Sequence, residues 1–131
     1  MLEIFSTKEI KDFIVELNKG QLSKGIDGNN SPIEGRNIGL QGEYSPTTKQ
    51  IRSEAGLQIQ VIDLNFTGEF YSTIRVIVGK TFFDILANPI KDNTDLYIEF
   101  GEDINKLTKE SEVLLCKKIA DEIKIRILQF N

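Results

Sequence analysis

Tyr71-Ser72-Thr73-Ile74-Arg75-Val76-Ile77-Val78-Gly79-Lys80-Thr81-Phe82-Phe83-Asp84-Ile85-Leu86 is the stretch whose reading decides the fold. Ile74, Val76 and Val78 recur at alternate positions, which places them on one face of a strand. The apolar run from Thr81 to Leu86 supplies a second strand, and a two-residue Gly-X connector between such runs predicts a type II′ hairpin with Gly79 in the turn. Asn88-Pro89 should stop the second strand, because proline cannot donate to a ladder. The letters Gly79-Lys80-Thr81 also end a Walker A phosphate loop. That loop needs a glycine five residues before the Gly-Lys pair and a helix after it. Ile74 stands at the glycine position and Phe82-Phe83-Asp84-Ile85 favours a strand, so the reading is a hairpin and not a nucleotide site.

Working outward, Ser6-Thr7-Lys8-Glu9 has the spacing of a capping box, and Ile10, Phe13, Ile14 and Leu17 follow at helical steps. The pattern predicts a helix over 7–18, stopped by Asn18-Lys19-Gly20. Toward the other end, Thr108 is a candidate cap for a helix over 109–128, with Cys116, Ala120, Ile123, Ile127 and Phe130 on one stripe. Ile123-Lys124-Ile125-Arg126-Ile127 also alternates strictly, so 123–128 reads as either helix or strand. Leu57 to Ile62 alternates weakly, and 95–100 reads as a short edge strand before Gly101. The expected fold is α+β: a small antiparallel sheet centred on a hairpin at about 72–86, packed with an N-terminal helix and a long C-terminal helix.

From Gln21 to about Ser53 periodicity vanishes. Gly25, Gly28, Pro32, Gly35, Gly39, Gly42 and Pro46 punctuate a polar stretch. A loop of that length is uncommon inside a compact domain, so 21–53 is expected to be an extended arm that is either functional or ordered by a partner, the alternative being a floppy surface loop. Its apolar and turn residues Leu22, Ile26, Ile33, Leu40, Tyr44, Pro46 and Thr48 are the candidate assembly contacts.

Composition narrows the function. A chain of 131 residues, 40% hydrophobic and 27% charged, suits a single domain. The formal charge of −4 gives no global field toward nucleic acid or an anionic membrane. No apolar run approaches the roughly 20 residues that span a bilayer, and the first residues lack a signal-peptide pattern. The single cysteine, Cys116, cannot bridge within the chain. Histidine is absent, which removes the commonest general base and metal ligand together. Asp27-Gly28-Asn29-Asn30-Ser31 starts like a calcium loop, but Pro32 replaces the turn glycine and Ile38 the bidentate glutamate. Glu99, Glu102 and Asp103 read as a solvated acidic face. Lys117, Lys118, Lys124 and Arg126 are interleaved with Glu110, Glu112, Asp121 and Glu122, which is a mixed helix surface and not a nucleic-acid stripe. No cofactor, no metal and no catalytic set is expected.

One ordered combination remains. Ser23-Lys24-Gly25-Ile26-Asp27-Gly28 is followed by Tyr44-Ser45-Pro46-Thr47-Thr48, then by Leu64-Asn65-Phe66-Thr67-Gly68-Glu69-Phe70-Tyr71-Ser72-Thr73-Ile74, and then by the hairpin. About half the chain thereby resembles the virion-morphogenesis or tail-completion proteins of tailed bacteriophages. In those proteins a glycine-rich loop, a Ser-Pro-x-Thr element and a Leu-x-x-Thr-Gly element precede a β-hairpin. The tryptophan that usually precedes their Ser-Pro element has no counterpart here. The resemblance implies a non-enzymatic structural protein of the tail or the head–tail connector, made in the host bacterial cytoplasm and carried in the virion. It implies a homo-oligomeric ring touching tail, connector or portal proteins, with Thr67, Gly68 and Tyr71 setting the corner that starts the sheet. The alternative from a different class is a small nucleic-acid-binding or regulatory module of a mobile element, drawing on the Lys117, Lys118, Lys124 and Arg126 group.

Overall fold

A computed structural model describes residues 2–34, 44–65, 67–79, 82–91 and 94–129. The order of elements is α1 (Leu2–Phe5), α2 (Lys8–Ser23), α3 (Pro46–Glu54), α4 (Glu69–Ser72), β1 (Arg75–Val78), β2 (Phe83–Leu86), β3 (Ile90–Lys91), β4 (Thr94–Asp95), α5 (Leu96–Phe100), a 3₁₀ turn (Glu102–Asn105) and α6 (Lys109–Gln129). The fold is α+β. An antiparallel hairpin and a second short antiparallel ladder, β3–β4, are combined with an N-terminal helix and a long C-terminal one.

The N-terminal helix starts at Thr7 and not Ser6: the Thr7 hydroxyl accepts the Ile10 N–H, satisfying one of the orphan donors of the first turn. Ile10, Ile14, Asn18, Gln21 and Leu22 follow at steps that keep one face inward, and all are buried. The predicted stop at Asn18-Lys19-Gly20 does not occur. Asn18 Nδ2 donates to the Ile104 carbonyl at 2.8 Å, and Gln21 both donates to the Lys106 carbonyl and accepts the Thr108 N–H. These ties outweigh the roughly 1 kcal/mol that a helical glycine costs relative to alanine. The helix ends only at Lys24 and Gly25, whose φ of +73° is open to glycine at little cost.

The hairpin pairs Arg75 with Leu86, Val76 with Ile85, Ile77 with Asp84 and Val78 with Phe83. Ile74, Val76 and Ile85 are buried, and β1 packs against α2. The expected turn at Gly79-Lys80 is corrected. The Gly79 N–H donates to the Phe82 carbonyl at 2.8 Å, so Gly79 closes the ladder, and residues 80 and 81 lie outside the described residues. Among the described residues the positive-φ glycines are Gly25, Gly56, Gly68 and Gly101, so Gly79 uses no left-handed freedom. Its constraint is space: a Cβ there would stand 3.3 Å from the Phe82 ring.

The weakly alternating stretch 57–62 is not a strand, and the strand expected at 95–100 is reduced to the end of β4 at Asp95. Over 57–62 the Gln58 side chain accepts the N–H groups of Gln60 and Val61, turning the backbone into a bend. Over 95–100 the Asp95 carboxylate accepts the N–H groups of Tyr97 and Ile98, capping α5 in place of a strand. The expected arm at 21–53 is likewise largely structured. Gly25 to Ile33 form a turn closed by the Ile26–Pro32 bridge and the bond from Ile33 N–H to the Gly25 carbonyl, and 46–54 is α3. Residues 35–43 lie outside the described residues.

At the C-terminal side, 123–128 is helical. α6 runs unbroken to Gln129, with the Thr108 hydroxyl accepting the Ser111 N–H. Its buried residues are Ser111, Leu115 and Ile119, which face α2. The stripe Cys116, Ala120, Ile123 and Ile127 is exposed, and Phe130 lies outside the described residues. Periodicity identifies which residues share a face. It does not identify the neighbour that covers it.

Candidate functional site

The Ser-Pro-x-Thr segment is a helix start. Ser45 is the N-cap of α3, its hydroxyl accepting the Thr48 N–H and donating to the Thr48 hydroxyl, and Pro46 occupies the first turn where no N–H is missed. α3 then delivers Arg52 inward. Only 4% of its side chain is exposed, and its partner Asp63 is nearly as buried. Arg52 Nη2 donates to Asp63 Oδ1 at 3.0 Å, Nε to the Gln58 carbonyl at 2.9 Å and Nη1 to the Asn65 carbonyl at 3.1 Å. The guanidinium lies over the Tyr44 ring, 4.5 Å from its centroid.

Asp63 is the centre of this node. Its Oδ1 accepts the Tyr44 hydroxyl at 3.1 Å and the Asn65 N–H at 3.0 Å, and its Oδ2 accepts Gln58 Nε2 at 2.8 Å. Its own N–H donates to the Tyr44 oxygen, and its carbonyl accepts the Tyr71 hydroxyl at 2.6 Å. Burial raises the pKa of both phenols above the ordinary tyrosine range, most strongly for Tyr71. The residue after Asp63, Leu64, is held at φ +59°, a conformation a leucine adopts only when its surroundings dictate it. No buried side-chain polar atom lacks a partner among the described residues. The node is therefore a filled joint: each buried side-chain nitrogen and oxygen has at least one partner, and breaking the ion pair would strand a buried charge.

The candidate residues fall into separate groups. Tyr44, Pro46 and Thr48 belong to the α3 start, and Tyr71 meets Tyr44 on Asp63. Thr67 accepts the Glu69 N–H, and Gly68, at φ +81°, caps the single turn of α4 that leads into β1. Leu22 and Ile33 are buried in the chain's own core, Ile26 is half-buried beside them, and Leu40 lies outside the described residues. Arg52, Gln58 and Asp63 were not candidates. The legible signal was Asp63 itself, a carboxylate inside the apolar run Val61-Ile62-Asp63-Leu64.

The other motifs are engaged elsewhere. Asp27 Oδ1 accepts the N–H groups of Asn29 and Ser31, and the Asn29 amide donates to Asp103. Hydrogen bonds from Lys106 and Asn29 hold the Asp103 carboxyl below the usual range. Lys118 of the basic group is paired with Glu9 at 2.9 Å and with Glu122 at 3.4 Å. Among the described residues no cluster of histidine, cysteine and carboxylate groups could hold a metal ion. An open cleft of about 900 Å³ runs between β2 and 102–112, with Phe83, Tyr97, Lys106 and Glu112 on its walls. Comparison with protein-family models, curated proteins and solved structures finds no match to this chain.

Proposed function

We propose that the chain is a non-enzymatic structural protein of a tailed-bacteriophage particle, placed in the tail or the head–tail connector. There, copies would close into a ring and touch neighbouring tail, connector or portal proteins. One observation carries the reading: the two segments on which the resemblance rests, Tyr44 to Thr48 and Leu64 to Ile74, meet on Asp63 through Tyr44 and Tyr71. Tyr71 holds the Asp63 backbone carbonyl, and Arg52 from α3 joins Tyr44 on the carboxylate. Elements that are separate in sequence thus act as one rigid unit. A joint whose polar groups all serve one another supplies shape, which is what a ring subunit has to present repeatedly to its neighbours.

Mass spectrometry of purified particles tests the proposal. Detection of the chain at a fixed ratio to the other tail or connector proteins is expected. Absence of the chain from infectious particles contradicts it.

A further inference from the structure

The edge of β2 that does not meet β1 opens into the cleft between β2 and 102–112. Phe82 to Leu86 line that cleft consecutively, both faces of the strand together, and from β1 only Val78 does so. The ladder determines which main-chain groups point there. Gly79 and Phe82 continue the register as a hydrogen-bonded pair, so the bonded pairs behind them are Ile77 with Asp84 and Arg75 with Leu86. The N–H and C=O groups of the intervening Phe83 and Ile85 therefore point away from β1. Ala87, next in the same alternation, donates its N–H to the Tyr97 hydroxyl at 3.1 Å, and Tyr97 stands on the cleft wall. Among the described residues nothing engages the outward groups of Phe83 and Ile85. An unpaired strand edge is a template for another chain.

We propose that this edge takes an extended segment of another protein, alternately apolar and basic, as a third strand of the sheet. Main-chain chemistry selects a polypeptide: donors and acceptors repeating roughly every 7 Å along an edge are matched by another extended backbone. The pleat then places the side chains, whichever way the guest runs. Guest residues opposite Phe83 and Ile85 fall on the side of the stacked Phe5 and Phe83 rings, whose centroids are 5.5 Å apart, and apolar side chains suit them. The guest residue between them lies beside Asp84, on the other face. Charge sets its sign. Asp84, Glu102 and Glu112 line the cleft and make no ion pair among the described residues. Against them stand Lys109 and Lys106, and Lys106 is already held by Asp103 at 3.1 Å. Arg75 and Glu110 do not line the cleft. The excess is acidic, so the complementary guest is basic. A second copy's β2 would bring its own Asp84 into the same acidic cleft. Nothing in this site depends on the chain being a virion protein.

Amide NMR of the isotope-labelled full-length protein, titrated with the end-blocked peptide Lys-Val-Lys-Val-Lys, tests the site. The two valines match Phe83 and Ile85, and the central lysine matches Asp84. The amide signals of Phe83 and Ile85 should move most, because their N–H groups gain acceptors. Glu-Val-Glu-Val-Glu should bind about tenfold more weakly or worse. The lysine peptide with every backbone nitrogen methylated, which cannot donate to the edge and crowds it, should lose about as much. Asp84→Lys, at an exposed position, should leave the melt unchanged and weaken the lysine peptide several-fold. Equal affinity for the two charge patterns, indifference to methylation, or unmoved Phe83 and Ile85 signals at saturating peptide overturns the proposal. Shifts of the same two amides with rising protein concentration alone place a second copy on the edge and overturn it too. Absence of the chain from particles counts against the function above and leaves this site standing.

Discussion

α2 and α6 carry similar apolar content and meet opposite fates. α2 spends its whole inward face within the fold: Ile10 and Ile14 are fully buried, and Asn18 and Gln21 on the same face are tied to the 104–108 backbone. α6 spends only Ser111, Leu115 and Ile119, and carries Ile123, Ile125, Ile127 and Leu128 into solvent. The difference lies in neighbours and not in composition. α2 is enclosed by α1, β1, the 3₁₀ turn and α6, whereas no described residue of α6 beyond Ile119 is buried. An apolar stripe is a demand for a partner, and the described residues supply one to the inward face of α2 and to the first half of α6.

Substitutions that remove equivalent atoms from the two helices test this contrast. Ile14→Ala should have the largest effect, a loss of about 2–5 kcal/mol in a urea melt, because the side chain is enclosed and the cavity cannot fully collapse. Asn18→Ala comes next. It strands the Ile104 carbonyl and the Asn105 amide, which now exchange hydrogen bonds of 2.8 Å with Asn18, and should cost about 1–3 kcal/mol.

The polar tie of α2 continues from Asn105 to the Tyr97 hydroxyl at 2.6 Å, and burial raises the pKa of Tyr97 as it does those of Tyr44 and Tyr71. The neutral phenols are favoured in the folded chain. Their contribution is fully present below the unfolded tyrosine value near pH 10 and is lost as pH rises through the higher folded values. Stability measured by chemical melts should be flat with respect to these groups up to about pH 9 and fall above pH 10. Tyr71→Phe should make that alkaline fall shallower. The smallest effect belongs to α6: Ile127→Ala in dilute protein should change the melt by less than about 0.5 kcal/mol, as for a surface position. A loss comparable to that of Ile14→Ala would show that the helix is covered within the monomer.

Legibility followed the range of the interactions. Helix identity, the cap at Thr108 and the hairpin strands depend on residues a few positions apart, and they were readable. The extension of α2 through Gly20 was not, because it depends on Asn18 and Gln21 reaching partners more than eighty positions away. The weak alternation at 57–62 and the strand expected at 95–100 gave way to side chains, Gln58 and Asp95, that captured backbone N–H groups. At the site, the motif residues Tyr44, Ser45, Pro46 and Tyr71 were legible, whereas Arg52 and Asp63 became meaningful only when α3 brought them within 3.0 Å. For α6 the stripe was read correctly as a set, and its solvent-facing direction could come only from the packing.

Amide hydrogen exchange on the dilute protein compares the two helices in one experiment. The α2 amides should exchange slowly, while those of 120–129 exchange fast. Exchange of 120–129 as slow as that of α2 would contradict the claim that the fold covers α2 and leaves the second half of α6 exposed.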